Sequence, residues 1–572
     1  MSKTPKFDSL IDKILSEIRP CEKMCTDCKL NFSIIEDDII FYNLFRVTPP
    51  TLCQNCRRRR RLSFSNYSNI YKRKCDVSGH VDTMISLVAP VMPWVTYDYD
   101  TYYSDKWDAL SFGRDVKEGD FFGQYLSILK EIPQPGVRRG PGCVNSDYSF
   151  YGQNTKNCYY TFGSWKSEDV FYSASIFVCR TIMDSYYLRD VDTAYQSVLT
   201  DNCFKCTYAS FSSQCVDSDF IYDCRNCQNC FGCVNLRNKN YCWFNEQLTK
   251  EEYTKRRQGL NLGSRSVINE YKNKFLEFLK SNPVRASRIF HSENVSGNDI
   301  KESKNCYDSF QVERSENVRY GQMLVMVKDS MDVSFSGHTE KTYETQNVGS
   351  HSSNVKFSFA CKEMRDSEFC MSCNNCSNCF GCVGLKNVSY AIFNKVYTED
   401  EYWQKVDEIK TNMIKRGEYG EFFPMQFSPY PYNSSLAHIM YPMSEEEASS
   451  RGLFWQKDVE VDTSAVKTIS INDLPDDTND VDESIYDFAI LGENSGKPFR
   501  LIKEEVNFYK RYNIALPYDT PYQRIIDRFR TLSNFQTYSD ICVNCGIEII
   551  SAYKKSDGYK PYCEKCYQQE VI

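Results

Sequence analysis

At 572 residues the chain is too long for one compact core, so several domains are expected. Its 15% aromatic and 41% hydrophobic content excludes wholesale disorder, and a net charge of -7 excludes a general attraction to nucleic acid or anionic membrane, leaving only local contacts. Met1 to Leu10 lacks the apolar core of a secretory signal, and the apolar stretch Ile85 to Val95 is short and interrupted by proline, so a soluble, non-membrane protein is expected.

In chain order, Phe7, Leu10, Ile11, Ile14, Leu15 and Ile18 recur at helical intervals and predict a first helix over Phe7 to Ile18, packed on the module that follows it. That module carries Cys25-x2-Cys28 and Cys53-x2-Cys56. Its counterpart near the other end is Cys542-x2-Cys545 and Cys563-x2-Cys566. Paired knuckles place four thiolates tetrahedrally about 2.3 Å from one zinc ion, so two structural zinc sites are expected, with Cys21, Cys75 and His80 as competing ligands for the first. Eight cysteines in knuckles of a large chain also point to a reducing compartment, cytoplasmic or similar, rather than to disulfides.

Directly after Cys56 run Arg57, Arg58, Arg59, Arg60 and Arg61, followed by Lys72, Arg73 and Lys74, with Tyr67 and Tyr71 between the clusters. Basic residues interleaved with aromatics make this stretch a candidate nucleic-acid contact; a solvated face or pairing with acidic segments is the plainer reading.

From Asn157 a new pattern repeats: Asn or Asp, a small residue, any residue, an aromatic. It appears at Asn157-Cys158-Tyr159-Tyr160, Asp169-Val170-Phe171-Tyr172, Asp184-Ser185-Tyr186-Tyr187, Asp192-Thr193-Ala194-Tyr195 and Asp217-Ser218-Asp219-Phe220. In short strands the second and fourth positions share a face, so the small residue and the aromatic are both expected to point inward, with Asn or Asp at a turn. The block is duplicated: Asn229 to Tyr253 and Asn378 to Tyr402 are identical at 14 of 25 positions with an offset of 149, while upstream parts, such as Cys158 with Cys306, align at 148. Each copy closes on a capping box, Thr249-x-x-Glu252 and Thr398-x-x-Glu401.

The fold class expected is therefore mainly β: a duplicated parallel β-solenoid flanked by small zinc-ribbon or treble-clef modules, with a few connecting helices. The segments expected are 1-82 with the first zinc module, 83-142 connecting, 143-260 the first repeat, 261-300 a helical connector, 301-412 the second repeat, 413-490 a linker with an acidic stretch, and 491-572 helices with the second zinc module.

Cys224, Cys227, Cys230 and Cys233, and Cys370, Cys373, Cys376, Cys379 and Cys382, are spaced by three, as iron–sulfur ligands begin; the plainer reading makes them small interior residues. No spaced pair exists among His80, His291, His338, His351 and His438, and the carboxylates recur at the turn position, so no catalytic constellation is predicted.

The knuckle ending Cys53-Gln54-Asn55-Cys56-Arg57, the run Tyr71-Lys72-Arg73-Lys74-Cys75-Asp76, Ser104-Asp105-Lys106-Trp107-Asp108, the two Asn-Cys-Phe-Gly-Cys pentapeptides and the tail from Phe499-Arg500 to Tyr567 together resemble a family of cysteine-rich, twin zinc-ribbon proteins of large DNA viruses and small uncultured bacteria. The resemblance spans most of the chain. It implies the architecture and no particular activity. The function expected is a zinc-binding scaffold that presents an aromatic-rich solenoid surface to a protein partner; the alternatives are a nucleic-acid-associated protein and an iron–sulfur or other redox protein.

Overall fold

The computed structural model describes residues 2–77, 79–80, 82–457, 467–531 and 535–571. It divides into two units, each discontinuous in sequence: Met1–Val137 with Ser287–Gln456, and Arg138–Ala286 with Lys457–Ile572. Each unit therefore joins one copy of the repeat to one end of the chain. The protein is strand-rich, and each unit is built on a large, predominantly parallel sheet.

In the unit holding the first copy, Ala174–Phe177 lies between Thr161–Trp165 and Tyr186–Arg189, with Ala174 opposite Phe162 on one side and Tyr186 on the other. Both offsets are twelve residues. A second series, Glu168–Phe171, Arg180–Met183 and Asp192–Tyr195, pairs with the same twelve-residue step. The local cause is in the backbone. From Tyr151 to Phe244 every third residue has positive φ, for example Asp217 at 45°, Phe220 at 53°, Asp223 at 44° and Asn226 at 52°. Asn and Asp tolerate this left-handed region better than other non-glycine residues, which explains their recurrence.

From Gly152 to Cys233 the residue after each left-handed position is buried. Ser218, Ile221, Cys224, Cys227, Cys230 and Cys233 follow one another in this way, so the interior has a period of three and not the two of an ordinary strand. The core of this copy consists of Cys, Val, Ile, Leu and Ala, among them Cys158, Val170, Ile182, Ala194, Cys206 and Cys230. Several serines of the interior are satisfied by the next step: the Ser197 amide donates to Ser185 Oγ at 3.2 Å and the Ala209 amide to Ser197 Oγ at 3.3 Å.

The aromatic residues do not share this interior, contrary to the period-two expectation. Tyr172 and Tyr195 pack instead against Ile490, Val506 and Tyr509 of the chain's last hundred residues. The acidic stretch read as a linker is part of the same layer, since Ile471, Leu474, Val481 and Ile485 are buried there. The first helix, Pro5–Glu17, buries Phe7, Ile11 and Leu15 as its period predicts; it meets the module that follows through Asp8 and Asp12, which pair with Arg46 at 2.8 and 2.9 Å, and it also docks on the helix Glu399–Lys415, where Asp407 Oδ1 accepts the Phe7 amide at 2.7 Å.

The second copy repeats the plan, with a first step of eleven, Ile289 beside Ile300, and a later irregularity. Thr339 pairs with Ser352 and Tyr343 with Lys356, a step of thirteen, where consecutive Ser350 and His351 both have positive φ. This extra residue is why the two copies align at 148 before it and at 149 after it. Both copies end alike: Gly232 and Gly381 occupy left-handed positions where a Cβ would meet the rings of Phe244 and Phe393. Next to those rings, the Asn394 side chain bonds both the amide and the carbonyl of Val383 at 2.8 Å, standing in for the missing next strand, as Asn245 does with Val234.

Each copy is gripped by arginines of its own unit. Asp332 receives Arg57 Nε at 2.8 Å and Arg61 Nη1 at 2.9 Å from the helix Gln54–Leu62, while Asp184 receives Arg524 Nη1 at 2.6 Å and Arg528 Nη1 at 2.9 Å from the helix Pro521–Thr531. Asp184 and Asp332 are equivalent in the duplication, both are buried, and each arginine pair is spaced by four. Removing one partner of a buried pair strands the remaining charge. Asp332→Ala is therefore expected to lower the unfolding free energy by about 3–5 kcal/mol in urea titrations. Lys304→Ala, at an exposed pair, should change it by less than about 1 kcal/mol.

Candidate metal centres

A hairpin of Cys21–Met24 with Asn31–Ile34 leads into the first knuckle, and Cys53 stands immediately before the helix Gln54–Leu62. Cys25, Cys28, Cys53 and Cys56 thereby converge, their sulfurs all within 4.8 Å of one another. The second set is built the same way, from the hairpin Tyr538–Ile541 with Glu548–Ser551 and the helix Glu564–Val571, and brings together Cys542, Cys545, Cys563 and Cys566. Cys28 and Cys53 sulfurs are 3.7 Å apart, and those of Cys545 and Cys563 3.8 Å. A tetrahedron with metal–sulfur bonds of about 2.3 Å has edges of about 3.8 Å, so both sets fit one metal ion.

Each site holds its first sulfur with a backbone donor. The Cys53 amide donates to Cys25 Sγ and the Cys563 amide to Cys542 Sγ, both at 3.3 Å. A hydrogen bond from the Cys56 thiol brings the Cys53 thiol down to about 5. Burial opposes ionisation of Cys542, yet the amides of Cys563, Cys545 and Asn544 bring it down to about 6. Thiolate is the form that binds metal.

The remaining sequence candidates are placed differently. Cys21 is exposed on its strand, outside the first set; Cys75 and His80 stand with Asp98 in a separate group. Among the described residues these three groups are the ones in which three or more ligands converge. The central cysteines form no such group. Their thiols bond backbone carbonyls, as Cys224 Sγ does to the Cys233 oxygen at 3.5 Å and Cys373 Sγ to the Cys382 oxygen at 3.5 Å. Their spacing by three is the period of the interior, which supplies the alternative to an iron–sulfur reading.

The arginine run is a correction. Arg57, Arg58, Arg60 and Arg61 are buried, and Arg59 pairs with Asp27. Glu344 accepts Arg60 at 2.8 Å and Arg61 at 3.3 Å, Glu421 accepts Arg60 at 2.7 Å, and Asp308 lies 3.4 Å from Arg58. Five guanidinium groups that are neutralised internally offer no phosphate-binding patch. Tyr67 is buried against Phe335, Tyr71 bonds Ser434, and Arg73 pairs with Asp76, so of the proposed stretch Lys72 and Lys74 are left exposed on one short strand. Asp308, Asp332, Glu344 and Glu421, the partners of Arg57, Arg58, Arg60 and Arg61, lie hundreds of residues downstream, which is why the sequence pattern resembled a free basic face.

Cys53→Ser and Cys545→Ser are each expected to lower tightly held metal by about one ion per chain, read by elemental analysis after gel filtration. Cys230→Ser, at an interior position of the repeat, should leave the metal content unchanged.

Among the described residues no helix is long and apolar enough to cross a membrane. A comparison with protein-family models finds no match, and a comparison with curated proteins finds none either.

Proposed function

We propose that the protein is a zinc-dependent scaffold: in each unit a zinc-held terminal module clamps onto a twelve-residue β-solenoid, whose uncovered faces receive a protein partner. The observation that carries this reading is the pair of tetracysteine sets, whose four thiolate ligands leave no position for a substrate. Thiolates in tetrahedral array select zinc, and closed sites of this kind contribute folding energy rather than chemistry.

Each metal module is joined to its repeat by contacts that begin at the ligands themselves. Cys56 lies within the helix whose next residues are the arginines on Asp332. Cys566 precedes Tyr567, whose hydroxyl donates to Asp223 Oδ2 at 2.6 Å, and Lys560–Tyr562 pairs in parallel with Pro283–Arg285. The parallel twelve-residue register, the left-handed residue at every third position and the cysteine-rich interior support the solenoid. The aromatic side is covered by each unit's own flanking segments, so the faces left for a partner are the polar ones. One carries a ladder in which Asn294 donates to Asn305, Asn305 to Asn317 and Asn317 to Asp329, at 2.9, 2.9 and 2.8 Å.

Chelation of the zinc from the full chain, followed by hydrogen exchange, tests the structural role. Protection in Gln54–Leu62 and Glu564–Val571 should fall sharply, while the central strands retain theirs longer. Undiminished protection in both helices after complete metal removal would overturn the reading.

A further inference from the structure

The chain contains a third segment built like the two metal modules, with a different set of ligands. Tyr71–Lys74 pairs antiparallel with Thr83–Ser86, and Cys75 follows the first of these strands just as Cys25 follows Cys21–Met24 and Cys542 follows Tyr538–Ile541. Four residues after each cysteine the backbone is left-handed: Lys29 at φ 63°, Gly79 at 85° and Gly546 at 75°. The second half agrees too. The Asp98 amide donates to Cys75 Sγ at 3.3 Å, the same bond and length as Cys53 to Cys25 and Cys563 to Cys542. Asp98 also stands immediately before a helix, Tyr99–Tyr103, as Cys53 and Cys563 do before theirs.

Asp98 thus occupies the place of a ligand cysteine. Its Oδ1 accepts the Thr101 amide at 2.9 Å, which leaves Oδ2 facing Cys75 Sγ at 3.1 Å and His80 Nδ1 at 3.3 Å. Sulfur, imidazole nitrogen and carboxylate oxygen converge within 4.8 Å, the donor types that zinc accepts. Thr101, three residues on, matches Cys56 and Cys566 in position but is no metal ligand of their kind.

We infer that Cys75, His80 and Asp98 bind a third divalent ion, with zinc the best match, at a site that differs in kind from the other two. Binding releases the Cys75 thiol proton to solvent as the sulfur–metal bond forms. Three protein ligands leave the fourth position to water, and His80 is exposed, so this ion exchanges with solution. The tetracysteine ions are enclosed by their ligands. This site goes beyond the scaffold reading and does not rest on it.

The test is zinc stoichiometry of the full-length protein at micromolar free zinc, with cobalt spectra in parallel. Wild-type protein should hold about one more ion per chain than His80→Ala or Asp98→Ala, and that ion should leave first on mild chelation. Cobalt in the third site should add a band pattern of weak thiolate character, lost in Cys75→Ser, beside the strong charge transfer of the tetrathiolate sites. Because His80 is exposed, its variant is expected to fold, and thermal melts at saturating zinc verify this. Equal stoichiometry in wild type and both variants would remove the proposal. Loss of the Cys53 or Cys545 ions would instead strike at the scaffold reading.

Discussion

A left-handed residue at every third position is the constraint on which the two large sheets depend. It turns the chain often enough that each residue comes to lie beside the one twelve further on, and it brings every third side chain to the same interior. Such a conformation costs about 1 kcal/mol or more at each non-glycine position. The cost is offset collectively, because neighbouring steps share parallel hydrogen bonds and the interior side chains stack. It also limits what the interior holds: the first copy's core has room for Cys, Val, Ile, Leu and Ala and no aromatic ring.

That narrowness explains the cysteines. A thiol is small, largely apolar and a weak donor, so it fills the interior while its S–H reaches a carbonyl. Serine meets the same demand by accepting the next step's amide. The aromatic residues are left to the outside, where they become the surface on which each unit's flanking segments dock.

Docking is fixed by charge as well as by area. Tyr172, Asp184 and Tyr195 of the first copy correspond to Tyr320, Asp332 and Tyr343 of the second, and both aspartates take two arginines spaced by one helical turn. The guanidinium of Arg524 lies 4.4 Å from the Tyr172 ring centre, and that of Arg57 5.2 Å from the ring of Tyr320. The second carboxylate differs in origin: Glu344 comes from the repeat itself, Glu505 from a terminal helix. Duplicated sockets therefore receive unrelated helices from opposite ends of the chain through the same chemistry.

The sequence by itself determined the paired knuckles, the duplication with its one-residue change of offset, the capping boxes and the recurrence of Asn or Asp, of which Asn157, Asp169, Asp184 and Asp217 stand at left-handed positions, since each is a local pattern whose physics acts within a few residues. The interior period of three was also present, in Cys224, Cys227, Cys230 and Cys233, though it is recognised only once the backbone turns at every third residue. Tertiary structure alone decided the rest. Arg57, Arg58, Arg60 and Arg61 face carboxylates some 250 to 360 residues away, the acidic stretch folds beneath the first repeat's aromatic side, and Cys75, His80 and Asp98 meet because a hairpin and a short helix bring them together. Charge neutralisation and ligand convergence are properties of distance in space, and no spacing along the chain encodes them.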